Sequence, residues 1–335
     1  MLATLRSWYN AFYTIPKEEE LAHADFITRW LVVMRAAVFV MTALSAVIGG
    51  LLAASAGYFN WGIFLLTTLG LVLAHGASNL MNDYWDSRHG LDTQDSFRVT
   101  YGPHPLASGM MQTKQLLAGI AVMLAIAATI GAYLTYVGGW LIAAFAIIGG
   151  LILLLYAGDP LPLKYLGLGE IAVLIVWGPL MIGGTFYLLT GSLPLWVIIA
   201  SLPYALGVTT VLMGKHLDKI DFDREKGIRT LPIILGEKNA RRFTQILIAL
   251  MYVSTISLII VGAFAPWLLL VLLALPFAKD TIIIYASSKP DEPPPYYRGW
   301  PLWFVAFAFV HNRRFGLLFV LGLMLQLLAK NFLRI

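Results

Sequence analysis

The 335-residue chain contains no cysteine, so disulfide bridges and thiolate metal sites are excluded. Charged residues are also scarce: Asp, Glu, Lys and Arg make up 12% of the chain, well below the roughly 25% that is usual in a soluble domain. Hydrophobic residues make up 59%. This composition excludes an ordinary soluble protein and predicts an integral membrane protein.

The N-terminal region lacks the uninterrupted apolar core of a secretory signal peptide. Lys17 and the three glutamates that follow it precede any long apolar run. We predict that residues 1–26 form a cytoplasmic or interfacial segment, with its aromatic side chains at the depth of the lipid head groups. Residues 27–335 are predicted to form a single transmembrane domain.

Nine apolar runs approach the ~20 residues that a helix needs to cross a bilayer. They predict an all-α bundle of about nine transmembrane helices. The predicted spans are 27–54, 59–85, 114–136, 139–157, 167–190, 195–215, 240–262, 265–285 and 315–331. The apolar segment 300–311 is too short to span a bilayer, and it is compatible with an interfacial segment, a re-entrant segment or the start of the last helix.

The connections between these spans alternate in charge. Those at 55–58, 137–138, 191–194 and 263–264 contain no charged residue, and all 18 Asp and Glu lie on the opposite side with 21 of the 23 Lys and Arg. The other two cations, Lys330 and Arg334, are at the extreme C-terminus. The positive-inside rule assigns that side to the cytoplasm. We therefore predict a multi-pass protein of the inner cell membrane with its site on the cytoplasmic side. The net charge of +5 is assigned to this asymmetry and not to nucleic-acid binding.

The second predicted span ends in a cluster of polar side chains. Those at helical spacing are Asn79, Asn82, Asp83 and Asp86, and Asp92 and Asp95 follow in the loop. Ionisable groups in a bilayer are costly and usually face a cavity, a partner or an ion. Mg²⁺ is typically bound by a few carboxylates together with water and substrate phosphates. The cluster therefore predicts a metal site, although the two loop aspartates alone are equally compatible with a solvated loop.

The sixth predicted span ends in a second acidic sequence, GKHLDKIDFDREKGIRTLP at 214–232. Asp218 and Asp221 are three residues apart and are predicted to share a helical face, and Asp223 follows. The surrounding cations are Lys215, Lys219, Arg224, Lys226 and Arg229. Carboxylates that bind a metal beside cations that bind phosphate fit a site for a metal-bridged polyanion. The alternative is a salt-bridged, solvated loop that only fixes the membrane topology.

The two motifs at the ends of spans two and six resemble those of the UbiA superfamily of membrane prenyltransferases. The residues that carry the resemblance are NDYWD at 82–86 with Asp92, DKIDFDREKGIRTLP at 218–232, HPLASG at 104–109 and YAGDPLPLKYLGLGE at 156–170. The resemblance covers roughly residues 30–285 and implies a UbiA-like bundle of two four-helix halves.

Within this superfamily, LKYLGLGEIAV at 163–173 and GPLMIGGTFYL at 178–188 are most similar to the menaquinone-pathway branch. That branch implies a transferase of alkyl or aryl groups that moves a polyprenyl group from a polyprenyl diphosphate to 1,4-dihydroxy-2-naphthoate. It also implies Mg²⁺ as cofactor, in two ions. Other acceptors within the superfamily are 4-hydroxybenzoate, homogentisate, a chlorophyllide, haem or a sugar phosphate.

The resemblance carries roles onto particular residues. The predicted catalytic residues are Asp83, Asp86, Asp218 and Asp221, and the predicted metal ligands are Asn82, Asp86, Asp92, Asp218, Asp221 and Asp223. The predicted diphosphate contacts are Arg35, Asn79, Arg98, Lys164, Lys215, Lys226 and Arg229. The residues predicted to bind the acceptor or to stabilise a cation are His75, Tyr84, Trp85 and Tyr156. Arg35 is equally compatible with snorkelling to the interface. A histidine at the position of His75 is more often a packed, hydrogen-bonded residue than a ligand or base, and the alternative for Lys164 is a charge that only fixes the topology.

One position departs from the family pattern. Members often have two aspartates four residues apart, the first of them eight residues before the glycine of a KxGxxT-like turn. Here Asp218 precedes Gly227 by nine residues, and Lys219 stands where the first aspartate is expected. Asp218, Asp221 and Asp223 therefore compete for the role of second metal ligand.

A membrane transporter with an acidic cation site on its cytoplasmic side is the competing prediction, because ionisable residues inside the membrane also mark ion pathways. A transporter needs such groups near the middle of the bilayer and accessible from both sides. The acidic residues here cluster at one end of the predicted bundle, which favours the enzyme.

Overall fold

The structure is a computed structural model that describes residues 2–14, 21, 24–93, 96–295 and 297–333. Throughout this part of the chain the regular secondary structure is helical, which confirms the all-α prediction. Nine long helices follow one another: α1 Ala36–Ser55, α2 Trp61–Arg88, α3 Thr113–Gly138, α4 Trp140–Leu155, α5 Gly169–Thr190, α6 Leu195–Asp218, α7 Glu237–Ile260, α8 Pro266–Ile284 and α9 Phe304–Leu333.

Eight of these helices in the described chain have the length and apolarity of a membrane span, and α4 is an apolar helix of 16 residues. The prediction of about nine membrane helices is therefore confirmed. Large aromatic side chains are exposed at the end of the bundle where α1 is joined to α2 and α3 to α4, among them Trp61, Tyr136 and Trp140. Tyrosine and tryptophan are enriched where a membrane protein meets the lipid head groups.

The first predicted span, 27–54, is not one continuous helix. A short helix at Phe26–Val33 is separated from α1 by Arg35, whose φ of 59° lies in the left-handed region. A non-glycine residue in this region is uncommon and needs compensation from its surroundings. Arg35 donates a hydrogen bond to the carboxylate of Asp83 on α2, and this buried ion pair supplies that compensation.

The N-terminal region packs onto the start of this short helix. Asp25 caps it by accepting hydrogen bonds from the backbone N–H groups of Ile27 and Thr28, at 3.0 and 3.1 Å. The indole of Trp8, in the helix Leu2–Ala11, donates to the same carboxylate at 3.0 Å. Lys17 and the three glutamates after it lie outside the described residues.

The structure decides between the three alternatives for the segment 300–311: it contains the start of the last helix. Helix α9 begins at Phe304 and continues to Leu333, so this segment starts the last helix, and the predicted span 315–331 begins too late. The carboxylate of Asp218 accepts hydrogen bonds from the backbone N–H groups of Trp303, Phe304 and Val305 at 3.0, 2.8 and 3.0 Å. An anion at a helix N-terminus satisfies amides that have no partner within the helix.

Helix α6 occupies the centre of the bundle and packs against α5, α7 and α9. Its buried residues include Tyr204, whose hydroxyl donates to the carbonyl of Met41 on α1 at 3.2 Å. Helices α2 and α3 pack together at the side. This arrangement leaves a cavity bordered by α2, α3, α4 and α5.

Candidate functional site

A cavity of about 840 Å³ runs through the half of the bundle formed by α1 to α6. Its walls on α3 and α4 are apolar and rich in small residues, including Ala127, Gly131, Ala146 and Gly150. On α2 it extends from Thr67 to Asn82, a rise of roughly 22 Å at about 1.5 Å per residue. It therefore has the shape and lining of a site for a long apolar molecule.

The charged residues that line this cavity, Arg35, Arg98 and Lys215, lie together at one of its ends. A second, smaller cavity of about 20 Å³ adjoins it there. Five residues line both cavities: Arg35, Asn82, Arg98, Tyr101 and Lys215. The smaller cavity is lined further by Asp86, Asp92, Phe97, Lys164, Lys219 and Phe222. An apolar cavity thus opens onto a cationic one.

At the end of α2, Asp86 is enclosed by polar partners. Lys164, which is 1% exposed, donates to both of its carboxylate oxygens at 2.8 and 2.7 Å and to the amide oxygen of Asn82 at 3.0 Å. Asn82 also donates to Asp86 at 2.9 Å, and the hydroxyl of Tyr165 donates to it as well. Burial lowers the pKa of Lys164 below its ordinary value, and the charge of Asp86 only partly offsets this effect.

One turn earlier on α2, Asp83 is fully buried between two arginines. Arg35 contacts one carboxylate oxygen, and Arg98 lies 3.4 Å from the other. Arg98 also donates to the carbonyl oxygens of Gly102 and Pro103 at 3.1 and 3.0 Å. Asp83 therefore fixes the two guanidinium groups at the point where the cavities meet, and Arg98 holds the loop between α2 and α3 over them.

Asp92 and His104 form a pair in this loop, 2.9 Å apart. The Nδ1 atom of His104 accepts hydrogen bonds from the backbone N–H groups of Leu106 and Ala107, both at 3.1 Å. The proton of the neutral ring therefore resides on Nε2, which donates it to Asp92. His104, Asp83 and Asp92 present possible ligand atoms within 4.8 Å of one another, but a protonated Nε2 cannot bind a metal.

The α2 side of the small cavity fits one Mg²⁺. Asn82, Asp86 and Asp92 line it, and a bound Mg²⁺ would share the oxygens of Asn82 and Asp86 with the ammonium group of Lys164. Mg²⁺ commonly takes one or two carboxylates and completes its shell with water and substrate phosphate. Asp95, the other loop aspartate, lies outside the described residues.

The α6 side does not offer a matching pair of carboxylates. Helix α6 ends at Asp218, and Lys219 has non-helical torsion angles (φ −122°, ψ 22°), so the predicted shared face of Asp218 and Asp221 is wrong. Asp218 is bound to the backbone at the start of α9. The side chain of Asp221 is 82% exposed and pairs with Arg224.

Asp223 is buried, but it is already paired with Lys219, whose Nζ lies 2.7 Å from its carboxylate. Burial alone would lower the pKa of Lys219, but the nearby charges of Asp223, Asp86 and Asp92 raise it above its ordinary value. Lys219 therefore carries its charge and binds Oδ1 of the carboxylate that competed for the second metal. Within the described residues, Oδ2 of Asp223 is buried without a hydrogen-bond partner.

The predicted diphosphate contacts separate into two groups. Arg35, Arg98, Lys164 and Lys215 line the small cavity, and Asn79 lines the large one and donates to the carbonyl of Met34 at 2.9 Å. Among the described residues, Lys215 forms no hydrogen bond or ion pair. Lys226 and Arg229 are exposed and line neither cavity, so the structure does not bring them to the site.

The predicted acceptor and cation-stabilising residues also separate. His75 and Tyr156 line the large cavity. The Nδ1 atom of His75 lies 2.8 Å from the hydroxyl of Thr42, and its ring meets Trp177 edge-on. Tyr84 and Trp85 line neither cavity and contact each other.

Three aromatic residues at the site were not predicted. Tyr165 donates to Asp86, Tyr101 borders both cavities, and Trp177 lines the large cavity. Tyr165 adjoins Lys164 in the quoted motif at 156–170, which was the available signal. Trp177 lies in the π-helical turn Val176–Gly183 of α5, which contains Pro179. Such turns are frequent at functional sites, but apolar sequence alone does not reveal them.

Similar sequences belong to named proteins. The model of the UbiA prenyltransferase family matches residues 42–300. The 1,4-dihydroxy-2-naphthoate octaprenyltransferase of Bacillus subtilis is 31% identical over 214 residues, 64% of this chain and 68% of that protein. The protein of the same name from Haemophilus influenzae is 30% identical over 241 residues, 70% of this chain and 77% of that protein.

The fold is similar to that of a solved structure as well. A UbiA homolog from Archaeoglobus fulgidus, bound to GPP and Mg2+, matches with a TM-score of 0.56 at 15% identity, over 87% of this chain and 99% of that chain. At this identity the similarity concerns the fold.

Proposed function

Because the chain belongs to the UbiA prenyltransferase family, and is therefore a prenyltransferase, we propose that it moves a polyprenyl group from a polyprenyl diphosphate to 1,4-dihydroxy-2-naphthoate in menaquinone biosynthesis. Family membership confirms the resemblance of the chain to the UbiA superfamily. The acceptor is proposed because relatives at 31% and 30% identity carry the name 1,4-dihydroxy-2-naphthoate octaprenyltransferase.

The observation that carries this proposal is the junction of the two cavities. A polyprenyl diphosphate has an anionic head and a long apolar tail. The small cavity is lined by five cationic side chains, and the large cavity continues from it along apolar walls. In a bound donor the diphosphate would lie among the cationic side chains and the apolar tail would follow α3 and α4. Each part of the donor would then contact a lining of matching chemistry.

The head-group residues have distinct parts in this proposal. Arg35, Arg98 and Lys215 bind diphosphate oxygens, and Asp83 positions the two arginines. Asn82, Asp86 and Asp92 are the residues that would hold Mg²⁺, the ion bound in the Archaeoglobus fulgidus homolog. A bound Mg²⁺ neutralises negative charge on the leaving diphosphate. Lys164 and Tyr165 orient Asp86 through their hydrogen bonds.

In the transfer, the bond between the first prenyl carbon and the diphosphate oxygen breaks, and the oxygen keeps the electron pair. A ring carbon of the acceptor bonds to the prenyl carbon and then loses its proton to the released diphosphate. His75, Tyr156 and Trp177 line the large cavity below the arginines, where aromatic faces stabilise positive charge by about 0.5–2 kcal/mol each. The apolar walls exclude water, which would otherwise capture the reactive prenyl group.

The face of the membrane that carries the proposed active site follows from the distribution of charged residues along the chain. All 18 Asp and Glu fall on the side of the chain that holds the small cavity, so the positive-inside rule places the proposed active site on the cytoplasmic face of the inner membrane. The charged lining of the large cavity lies at that end only. This distribution does not fit a transporter, which needs a polar path from both sides.

Product analysis with a panel of acceptors tests the proposal. Purified protein is incubated with geranylgeranyl diphosphate, Mg²⁺ and, separately, 1,4-dihydroxy-2-naphthoate, 4-hydroxybenzoate and homogentisate, and the products are measured by mass spectrometry. We expect a prenylated product from 1,4-dihydroxy-2-naphthoate that EDTA abolishes. A product from another acceptor alone would refute the menaquinone assignment, and no product from any acceptor, with no donor bound, would refute the proposed reaction.

A further inference from the structure

Lys219 occupies a position where a metal ligand is expected from the family pattern. It stands at the place of the first aspartate of the second acidic motif. Its side chain is 11% exposed and lines the small cavity, and its Nζ lies 2.7 Å from the carboxylate of Asp223. An amine at this point repels a divalent cation and attracts a phosphate oxygen.

The other acidic residues of that motif do not replace the missing ligand, since Asp223 lines neither cavity and is paired with Lys219. Asp218 is engaged by three backbone amides of α9, and Asp221 points into solvent. Lys215, one helical turn before Lys219, faces the same cavity. The α6 wall of the small cavity therefore carries two lysines, whereas the α2 side carries Asn82, Asp86 and Asp92.

The charges of the site support the same assignment. The small cavity is lined by five cationic side chains and by the carboxylates of Asp86 and Asp92, and two further carboxylates, those of Asp83 and Asp223, contact the same cations. Cations thus exceed carboxylates by one.

A prenyl diphosphate carries roughly three negative charges near neutral pH. Buried charges must be compensated, and a single Mg²⁺ completes the compensation. An aspartate at position 219 would lower the charge of the site by two, which is the charge of one further Mg²⁺.

We propose that Lys219 takes the place of one of two magnesium ions, so that the donor diphosphate is bound by one Mg²⁺ on the α2 side and by the ammonium groups of Lys219 and Lys215 on the α6 side. This inference rests on the proposed function, because it takes a prenyl diphosphate as the ligand. It assigns Lys219 a part in binding the leaving group, and it replaces the two ions implied by the family resemblance with one.

The number of metal ions bound with the donor tests this inference without any turnover. Purified wild type is saturated with geranylgeranyl S-thiolodiphosphate, a donor analogue that resists ionisation, and titrated with Mn²⁺, whose free fraction is measured by electron paramagnetic resonance. We expect one Mn²⁺ per protein. Two Mn²⁺ per protein would overturn this inference and leave the proposed function standing, whereas no analogue bound at any Mn²⁺ concentration would overturn both.

Two variants of the same residue sharpen the result. Lys219→Asp is expected to bind a second Mn²⁺ with the analogue. Lys219→Met is expected to keep one Mn²⁺ and to lose about 10- to 100-fold in analogue affinity, the value of a hydrogen bond to a charged group. Lys238→Asp, at an exposed position at the start of α7, is the matched control and should behave as wild type. Unchanged analogue affinity in folded Lys219→Met would contradict the assignment.

Discussion

The ammonium group of Lys164 lies 2.8 and 2.7 Å from the two carboxylate oxygens of Asp86, although 78 residues separate them in the chain. This contact brings the loop between α4 and α5 onto the C-terminal end of α2. Both side chains are buried, so each charge is compensated mainly by the other and by its polar neighbours. The pair thereby joins two separate segments of the chain, and both of its residues line the small cavity.

Removing one member of this pair should lower the stability of the folded protein. Lys164→Met leaves Asp86 buried without its cation, and breaking a buried pair in this way typically costs about 3–5 kcal/mol. We expect a clear drop in the thermal unfolding temperature in detergent, whereas Lys114→Met, at an exposed position at the start of α3, should have no effect.

A second variant separates stability from activity at the same pair. Lys164→Met combined with Asp86→Leu removes both charges, so it should recover much of the lost stability and still lack transferase activity. If Lys164→Met alone unfolds at the wild-type temperature, the ion pair does not have the structural part assigned to it.

Asp218 and Asp221 should respond very differently to the same substitution. Asp218→Asn weakens charged hydrogen bonds to the start of α9 and should cost about 1.5–3 kcal/mol of stability. Asp221→Asn disrupts only an exposed pair with Arg224, which is worth about 0–1 kcal/mol. Thermal unfolding and Mn²⁺ titration of both variants check this. Loss of bound metal in folded Asp221→Asn would restore the original prediction of a metal ligand there.

The small residues of the large cavity should determine the length of donor that fits. Gly150 on α4 lines the cavity, and a side chain added there would meet open space. Gly150→Phe should therefore lower kcat/KM for geranylgeranyl diphosphate relative to geranyl diphosphate by about tenfold or more, the scale of discrimination in apolar pockets. Ala125→Phe, on the exposed side of α3 and lining neither cavity, is the control. Equal losses for both donors would argue against a tail at this position.

The sequence predicted the helices and the α2 cluster because both depend on local patterns. A prediction from apolar run length or from helical spacing is valid wherever the helix is continuous, as it is from Trp61 to Arg88. At the end of α6 the helix stops, so the periodicity that joined Asp218 to Asp221 no longer applied. Nothing in the neighbouring residues revealed that Asp218 would bind the start of α9.

The break at Arg35 was hidden for a related reason. Its left-handed backbone depends on the ion pair with Asp83, 48 residues further along the chain. An apolar run with one arginine is indistinguishable in sequence from a continuous span. The pairing of Lys219 with Asp223 was open to sequence reasoning as a spacing of four residues, but its burial against the small cavity was not.

Photolabelling of the donor site tests the central claim, that one polyprenyl diphosphate occupies both cavities. A farnesyl diphosphate analogue with a diazirine near the end of its tail is activated on the purified protein with Mg²⁺, and the labelled peptides are identified by mass spectrometry. The account predicts labels within 124–135 of α3 and 142–154 of α4, which unlabelled geranylgeranyl diphosphate competes away. Labels on α7 or α8, or labels on α3 and α4 that the diphosphate does not displace, would contradict it.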